Sequence, residues 1–214
     1  MDELDLEEAG ARALVLVDEA RRAGTRRLLG LAGAPGAGKS SLAEHLVASL
    51  PAGSCVRVPM DGFHLADAAL ERLGRAERKG AVDTFDADGY VALLQRLRTQ
   101  LPGDGPVWAP MFERELEQPL AGALEVPAGV PLVLTEGNYL LETEGAFARV
   151  RALLDACWFV EVPETLRHER LIARHERFGK PAPRAREWAL GPDERNARRV
   201  AATRSRADAV VHPG

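Results

Sequence analysis

The sequence predicts an α/β protein whose sheet is mainly parallel. Three observations carry that prediction. Short apolar runs alternate with segments of helical periodicity. A glycine-rich octapeptide, Gly33-Ala34-Pro35-Gly36-Ala37-Gly38-Lys39-Ser40, joins the first such run to the helical segment after it. Two further apolar runs close on acids, Asp61 and Glu136, where an open α/β sheet holds its ligands.

Taken in order, residues 2–23 set Leu6, Ala9, Ala13, Leu14 and Val17 at helical spacing and predict an amphipathic helix. Arg27–Ala32 is short, apolar and strand-like. Residues 39–50 follow as a helix with Leu42, Leu46, Val47 and Leu50 on one face. Cys55–Met60 is a second strand, closing at Asp61. Residues 66–73 and 88–101 read as helices, the latter through Val91, Leu94 and Leu97. Gly103–Pro106 is a turn, and Val107–Phe112 and Leu124–Val126 are short strands. Leu132–Thr135 is a buried strand ending at Glu136. Cys157–Val162 is another, followed by a helix over 163–178. Residues 179–192 hold three of the fourteen prolines with Gly179 and Gly191, and are expected to be a mobile connector. A last helix over 193–207 and a last strand, Ala209–Val211, complete the chain.

The 214 residues suit a single domain, 1–214, with a lid inside it at about 167–192. A formal charge of −4 argues against non-specific nucleic-acid binding. No stretch has the length of a membrane span, and the acidic start (Asp2, Glu3, Asp5, Glu7, Glu8) is the opposite of a secretory or transit peptide. Cys55 and Cys157 sit in strand-like runs and read as buried free thiols, so a reducing, cytoplasmic setting is expected. A homodimer is left open.

The octapeptide fits the phosphate-loop pattern G-x-x-x-x-G-K-[ST]. The chain writes its positive charge as arginine and has only three lysines among its 28 basic residues, one of them Lys39. The compact ammonium and the planar guanidinium are not interchangeable in such a cradle. Strand, glycine loop and helix are the order the chemistry needs, because loop N–H groups and the helix N-terminus face the phosphates. Gly33, Ala34, Pro35, Gly36, Ala37, Gly38, Lys39, Ser40 and Ser41 are therefore expected to bind nucleotide. Lys39 is expected to bridge the β- and γ-phosphates and Ser40 to ligate Mg²⁺. The fold that follows is a P-loop NTPase three-layer sandwich with a helical lid.

Asp61, at a strand tip, is the candidate general base. Glu136 is the candidate second carboxylate on the metal side, in the Walker B role. Asp61-Gly62-Phe63 resembles the bacterial pantothenate kinase pattern, and uridine kinases carry a similar Asp-Ser-Phe. Arg78-Lys79-Gly80 with Phe85-Asp86 resembles the Arg-Lys-Gly…Phe/Tyr-Asp stretch of that group. Glu136-Gly137 matches its Glu-Gly strand end, and Arg204–Val211 is similar to the Lys-x-x-Ala-Asp-x-Ile-Ile close of uridine kinases, which lies near the adenine. From residue 27 onward the chain is identified as a member of the phosphoribulokinase/uridine kinase/pantothenate kinase superfamily. It most resembles nucleoside kinase-like or sugar-transport-associated kinases with Asp-Gly-Phe-His. The Ser-Phe-Tyr and Phe-Asp-His-Pro of uridine kinases and the substrate-side insert of pantothenate kinases are not found, so neither acceptor carries over.

For the acceptor, the candidates are Asp61, His64, Lys79, Asp83, Phe85, Phe112, Arg114, Glu136, Asn138 and Tyr139: acids and amides for hydroxyls, aromatic faces for packing. The helix 163–178 carries Arg167, Arg170, Arg174 and Arg177 in one stripe and resembles the arginine-bearing lid of uridine kinases. Arg170 and Arg174 are the expected catalytic cations, and Arg174 is also expected to hold nucleotide. Cations over the transferring phosphoryl and a lid that excludes water are what phosphoryl transfer needs. The resulting expectation is an ATP- and Mg²⁺-dependent kinase acting on a hydroxyl of a small metabolite, such as a sugar, nucleoside or pantothenate-like alcohol. The alternative is a nucleotide-dependent regulatory or switch NTPase without an acceptor. Neither a guanine-reading Asn-Lys-x-Asp nor an ABC-type Ser-Gly-Gly-Gln occurs.

Overall fold

The computed structural model describes residues 1–214. In chain order the strands are β1 (Asp2–Leu4), β2 (Arg27–Ala32), β3 (Cys55–Pro59), β4 (Val107–Glu113), β5 (Gln118–Val126), β6 (Leu132–Gly137), β7 (Ala156–Val160) and β8 (Ala209–Val211). The helices are α1 (Leu6–Ala23), α2 (Lys39–Ser49), α3 (Asp67–Arg72), α4 (Ala87–Thr99), α5 (Glu164–Arg177), α6 (Ala182–Leu190) and α7 (Pro192–Ala201).

Six strands form one parallel sheet in the order β1-β8-β7-β2-β6-β3. Side chains of the central β2 alternate as a pleated strand requires. Leu28 and Ala32 enter one core, with Tyr90, Leu94 and Phe147. Leu29 and Leu31 enter the other, with Ala9, Ala13, Val17, Leu42 and Leu46 of α1 and α2. Burial on both faces explains why β2 and β6 read as continuous apolar runs rather than alternating ones. The layered α/β sandwich is thus the fold the periodicities predict.

The register brings the functional ends together. Ala32 pairs with Gly137, and Pro59 with Glu136, so β2, β3 and β6 release their chains at one edge. A buried chain of hydroxyls braces this edge from below. The Tyr90 hydroxyl lies 2.6 Å from that of Thr135 on β6, and Thr135 donates to the Val58 carbonyl on β3 at 2.7 Å. β4 and β5 stand apart as an antiparallel hairpin with no hydrogen-bonded neighbour in the main sheet.

Five expectations are corrected. The first residues are not helical: Asp2–Leu4 add to the sheet beside β8. α1 starts only after Asp5, where a reciprocal capping box with Glu8 satisfies the end of the helix. Leu14, placed on the apolar face, is exposed. Residues 179–192 are no loose connector, because Ala182–Leu190 is a helix. The prolines misled: Pro183 and Pro192 sit in the first turns of α6 and α7, where a missing N–H costs nothing. β5 runs over nine residues rather than three, since exposed Leu120–Ala123 show no alternation to read. The last helix stops at Ala201, and a short 3₁₀ turn, Arg204–Arg206, follows.

Candidate active site

The chain leaving β2 wraps into the glycine loop and enters α2. Gly36 has φ +82°, and a Cβ there would meet the Arg167 carbonyl at 2.7 Å, so only glycine fits. Gly38 caps α2 with no side-chain hydrogen bond, and no acid stands in the first turn. The first N–H groups of α2 are thereby left free, in a site whose helix dipole favours an anion.

Lys39 folds back over the loop. Its Nζ donates to the carbonyls of Gly33 (2.9 Å) and Ala34 (3.0 Å) and to Asn138 Oδ1 (2.8 Å). Burial pushes the ammonium down to about 8, against the pull of Glu136 and Asp61. Next to it, the Ser40 hydroxyl donates to Glu136 Oε1 at 3.1 Å. Glu136 is buried, and the same oxygen accepts from Arg57 at 2.8 Å, while the other arm of Arg57 holds Glu44 at 2.8 Å. A hydroxyl and a carboxylate in contact beside free helix N–H groups are hard oxygen donors suited to Mg²⁺ with phosphate, so the residues fit that ion. Ser40 and Glu136 are the pair that would hold it. Once bound, it would neutralise charge on the phosphate oxygens.

Asp61 stands across the cleft in a 3₁₀ turn, Met60–Phe63, directly after β3. Burial works against its ionisation, but His64, Arg114, Lys39 and Arg174 outweigh it and hold the carboxyl below the ordinary Asp value. Arg114 approaches to 3.7 Å. His64 donates from Nδ1 to the Asp61 carbonyl at 2.8 Å; burial pushes the imidazole pKa down, while the Asp61 charge pulls it back up. Its ring packs between Phe85 and Phe112, at 4.0 and 4.8 Å between centroids.

One cleft of about 840 Å³ gathers these groups. The loop residues Pro35, Gly36, Gly38, Lys39, Ser40 and Ser41 line it together with Asp61, His64, Lys79, Phe112, Arg114, Glu136 and Asn138, and with Arg170, Arg174 and Arg177 of α5. The Arg174 guanidinium makes no hydrogen bond; burial lowers its pKa, and Arg114 pushes it further down. Arg170 donates to the Gly214 carbonyl at 3.1 Å.

Three acceptor candidates lie elsewhere. Asp83 is taken up by Arg75 (3.4 Å) and Arg78 (2.8 Å). Phe85 is core, packed on His64, Tyr139 and Phe147. Tyr139 is fully buried and donates to the Gly80 carbonyl at 2.7 Å. Asn138 does reach the cleft but spends its amide oxygen on Lys39. The arginine stripe is also divided. Arg167 is buried against Glu194 and His168 and lines a second cleft behind the loop. It shares a face with Arg174 but sits two turns away, about 10 Å along the axis.

Sequence reading missed Arg57, Glu44, His175, Asp193, Trp188 and Asn196, all at or beside the cleft. Glu44 falls one helical turn after Ser40, a signal that was available. Arg57 sits in the middle of the edge strand β3, and such a position gains meaning only once Glu136 is known to lie beside it.

No family model matches the chain. It is 32% identical over 190 residues to YggC of Escherichia coli (strain K12), spanning 87% of this chain and 77% of that one. It is 34% identical over 125 residues to the ATP-dependent kinase-like protein notR' of Aspergillus versicolor, covering 56% and 73%. Among solved structures, the "putative fructose transport system kinase" from Silicibacter sp. TM1040 superposes with TM-score 0.83 at 37% identity over 94% of this chain and 97% of that one. A "putative uridine kinase" of Schizosaccharomyces pombe (strain 972 / ATCC 24843) is 32% identical over 158 residues, covering 70% and 66%. A pantothenate kinase of Chelativorans sp. (strain BNC1) is 27% identical over 178 residues, covering 78% and 55%.

Proposed function

The chain belongs to the P-loop kinases of the uridine kinase and pantothenate kinase type, and from that premise we propose that it transfers the γ-phosphate of ATP, with Mg²⁺, to a hydroxyl of a small metabolite: a sugar, a nucleoside or a pantothenate-like alcohol. One observation carries the reading. An ionised Asp61 shares the cleft with Lys39, the Ser40–Glu136 pair and the unpaired Arg174. A nucleotide switch has no need of a carboxylate kept charged opposite its phosphate cradle.

In this reading the loop and Lys39 grip the β- and γ-phosphates. Asp61 orients the acceptor hydroxyl and takes its proton as the oxygen attacks phosphorus in line. Arg170 and Arg174 meet the charge that spreads on the transferring phosphoryl. The segment 167–192 acts as the lid, with α5 and α6 closing over the cleft to keep water out. Positioning and electrostatics supply most of the acceleration.

The test is ADP release from Mg-ATP by purified protein, with a panel of sugars, nucleosides and pantothenate. Acceleration by one acceptor, with its phosphate ester recovered, supports transfer. ADP release that no acceptor accelerates would favour the switch instead.

A further inference from the structure

The hairpin of β4 and β5 carries Phe112 and Arg114 to the acceptor side of Asp61, yet no strand of the main sheet pairs with it. Its turn, residues 114–117, opens with Arg114, which reaches Asp61 at 3.7 Å, and closes with Glu117. Glu117 is the one residue other than glycine with a positive φ, +51°. An L side chain is disfavoured there, so something outside the turn must hold it.

Lys79 does so. Its ammonium donates to the Glu117 carbonyl at 2.6 Å and to Asp67 Oδ1 at 2.6 Å, and stands 5.4 Å from the centre of the Phe112 ring. The side chain is 16% exposed. Carbonyl, carboxylate and ring face leave little for a ligand to claim. The residue comes from a chain that elsewhere prefers arginine. A compact ammonium turns its three donors out of any one plane, whereas the donors of a guanidinium are fixed in a single plane.

We propose that Lys79 is a positioning residue, not an acceptor ligand: it pins the hairpin turn by the Glu117 carbonyl and so fixes where Arg114 and Phe112 stand beside Asp61. The proposal rests on the reading that the space beside Asp61 receives the acceptor.

Lys79→Met keeps the aliphatic stem on Phe112 and removes the pin. Two readouts apply to the full-length protein: amide exchange with tryptic cleavage after Arg114, and steady-state kinetics with whichever panel acceptor is turned over. Exchange over 112–118 should speed about tenfold or more, as expected of a turn released from an outside support. The acceptor KM should rise about tenfold while kcat and the KM for ATP stay within about threefold, the pattern of lost acceptor positioning. Lys79→Arg should behave like Lys79→Met. Adding Glu117→Gly, which accepts the same φ without strain, should restore both the exchange protection and the acceptor KM of Lys79→Met. A raised KM with unchanged exchange, or no rescue by Glu117→Gly, would make Lys79 a direct ligand and overturn the proposal. If no acceptor is turned over, the transfer reading fails, and exchange with its rescue alone decides the pin.

Discussion

Arg57 lies 2.8 Å from Glu136 Oε1, the oxygen that also accepts from the Ser40 hydroxyl. Glu136 is therefore held on two sides before any ion arrives. Replacing it with glutamine removes the charge while keeping the shape. The Mg²⁺ concentration for half-maximal ADP release should then rise about tenfold to a hundredfold, the usual cost of disturbing a metal's carboxylate surroundings. Metal titration of the wild type and Glu136→Gln checks this. An unchanged Mg²⁺ requirement would remove Glu136 from the metal side.

Asp61 should behave differently. Asp61→Asn cannot accept a proton but keeps the hydrogen-bonding shape, so kcat should fall about 10²- to 10⁴-fold, the range of general-base contributions. ATP affinity, measured by calorimetry, should move by no more than a fewfold. A large loss of ATP binding instead would transfer Asp61 to the metal.

Gly62 is confined for a steric reason. A Cβ there would stand 2.3 Å from the Pro110 carbonyl of β4, closer than real atoms come. Gly62→Ala must push the hairpin away from Asp61. Overpacking of this kind costs about 1–3 kcal/mol, so a lowered melting temperature is expected. The acceptor KM should rise more than the KM for ATP, because the displaced hairpin carries Phe112 and Arg114 and no part of the phosphate loop.

Much of this architecture was legible beforehand because each piece obeys a local rule. The phosphate loop is a contiguous motif, and β2, β3 and β6 are apolar runs with acids or glycines at their ends. Asp61 and Glu136 could be expected to share one cleft, as they do, because strand tips in a parallel sheet face one edge. What was not legible depends on neighbours far along the chain. β1 is three residues whose strand character comes only from pairing with β8, some two hundred residues later. Phe85 and Tyr139 looked like acceptor contacts from their motif, yet their rings complete an aromatic cluster with Phe147. Arg57 and Lys79 gain their roles from Glu136 and Glu117, which no spacing rule connects to them. Prolines at 183 and 192 suggested a loop because their position within a first helical turn cannot be read until the helix is placed.

The joint between α5 and α7 gives a pH prediction. Glu194 takes hydrogen bonds from His168, at 3.0 Å, and from buried Arg167. Burial alone would raise its pKa, but those bonds, the charge of Arg167 and a further hydrogen bond from Arg198 at 3.2 Å outweigh it and bring the carboxyl down to about 2. A carboxylate held below its unfolded value stabilises the fold above that unfolded value, near 4.5. The contribution then fades as pH falls from there toward 2. Glu194→Gln should cost about 1–3 kcal/mol at pH 7, the worth of hydrogen bonds to a charged group. The gap between variant and wild type in urea unfolding should narrow steadily below pH 4.5 and close near pH 2. A gap independent of pH would mean that Glu194 serves by shape alone and that Arg167 finds its counter-charge elsewhere.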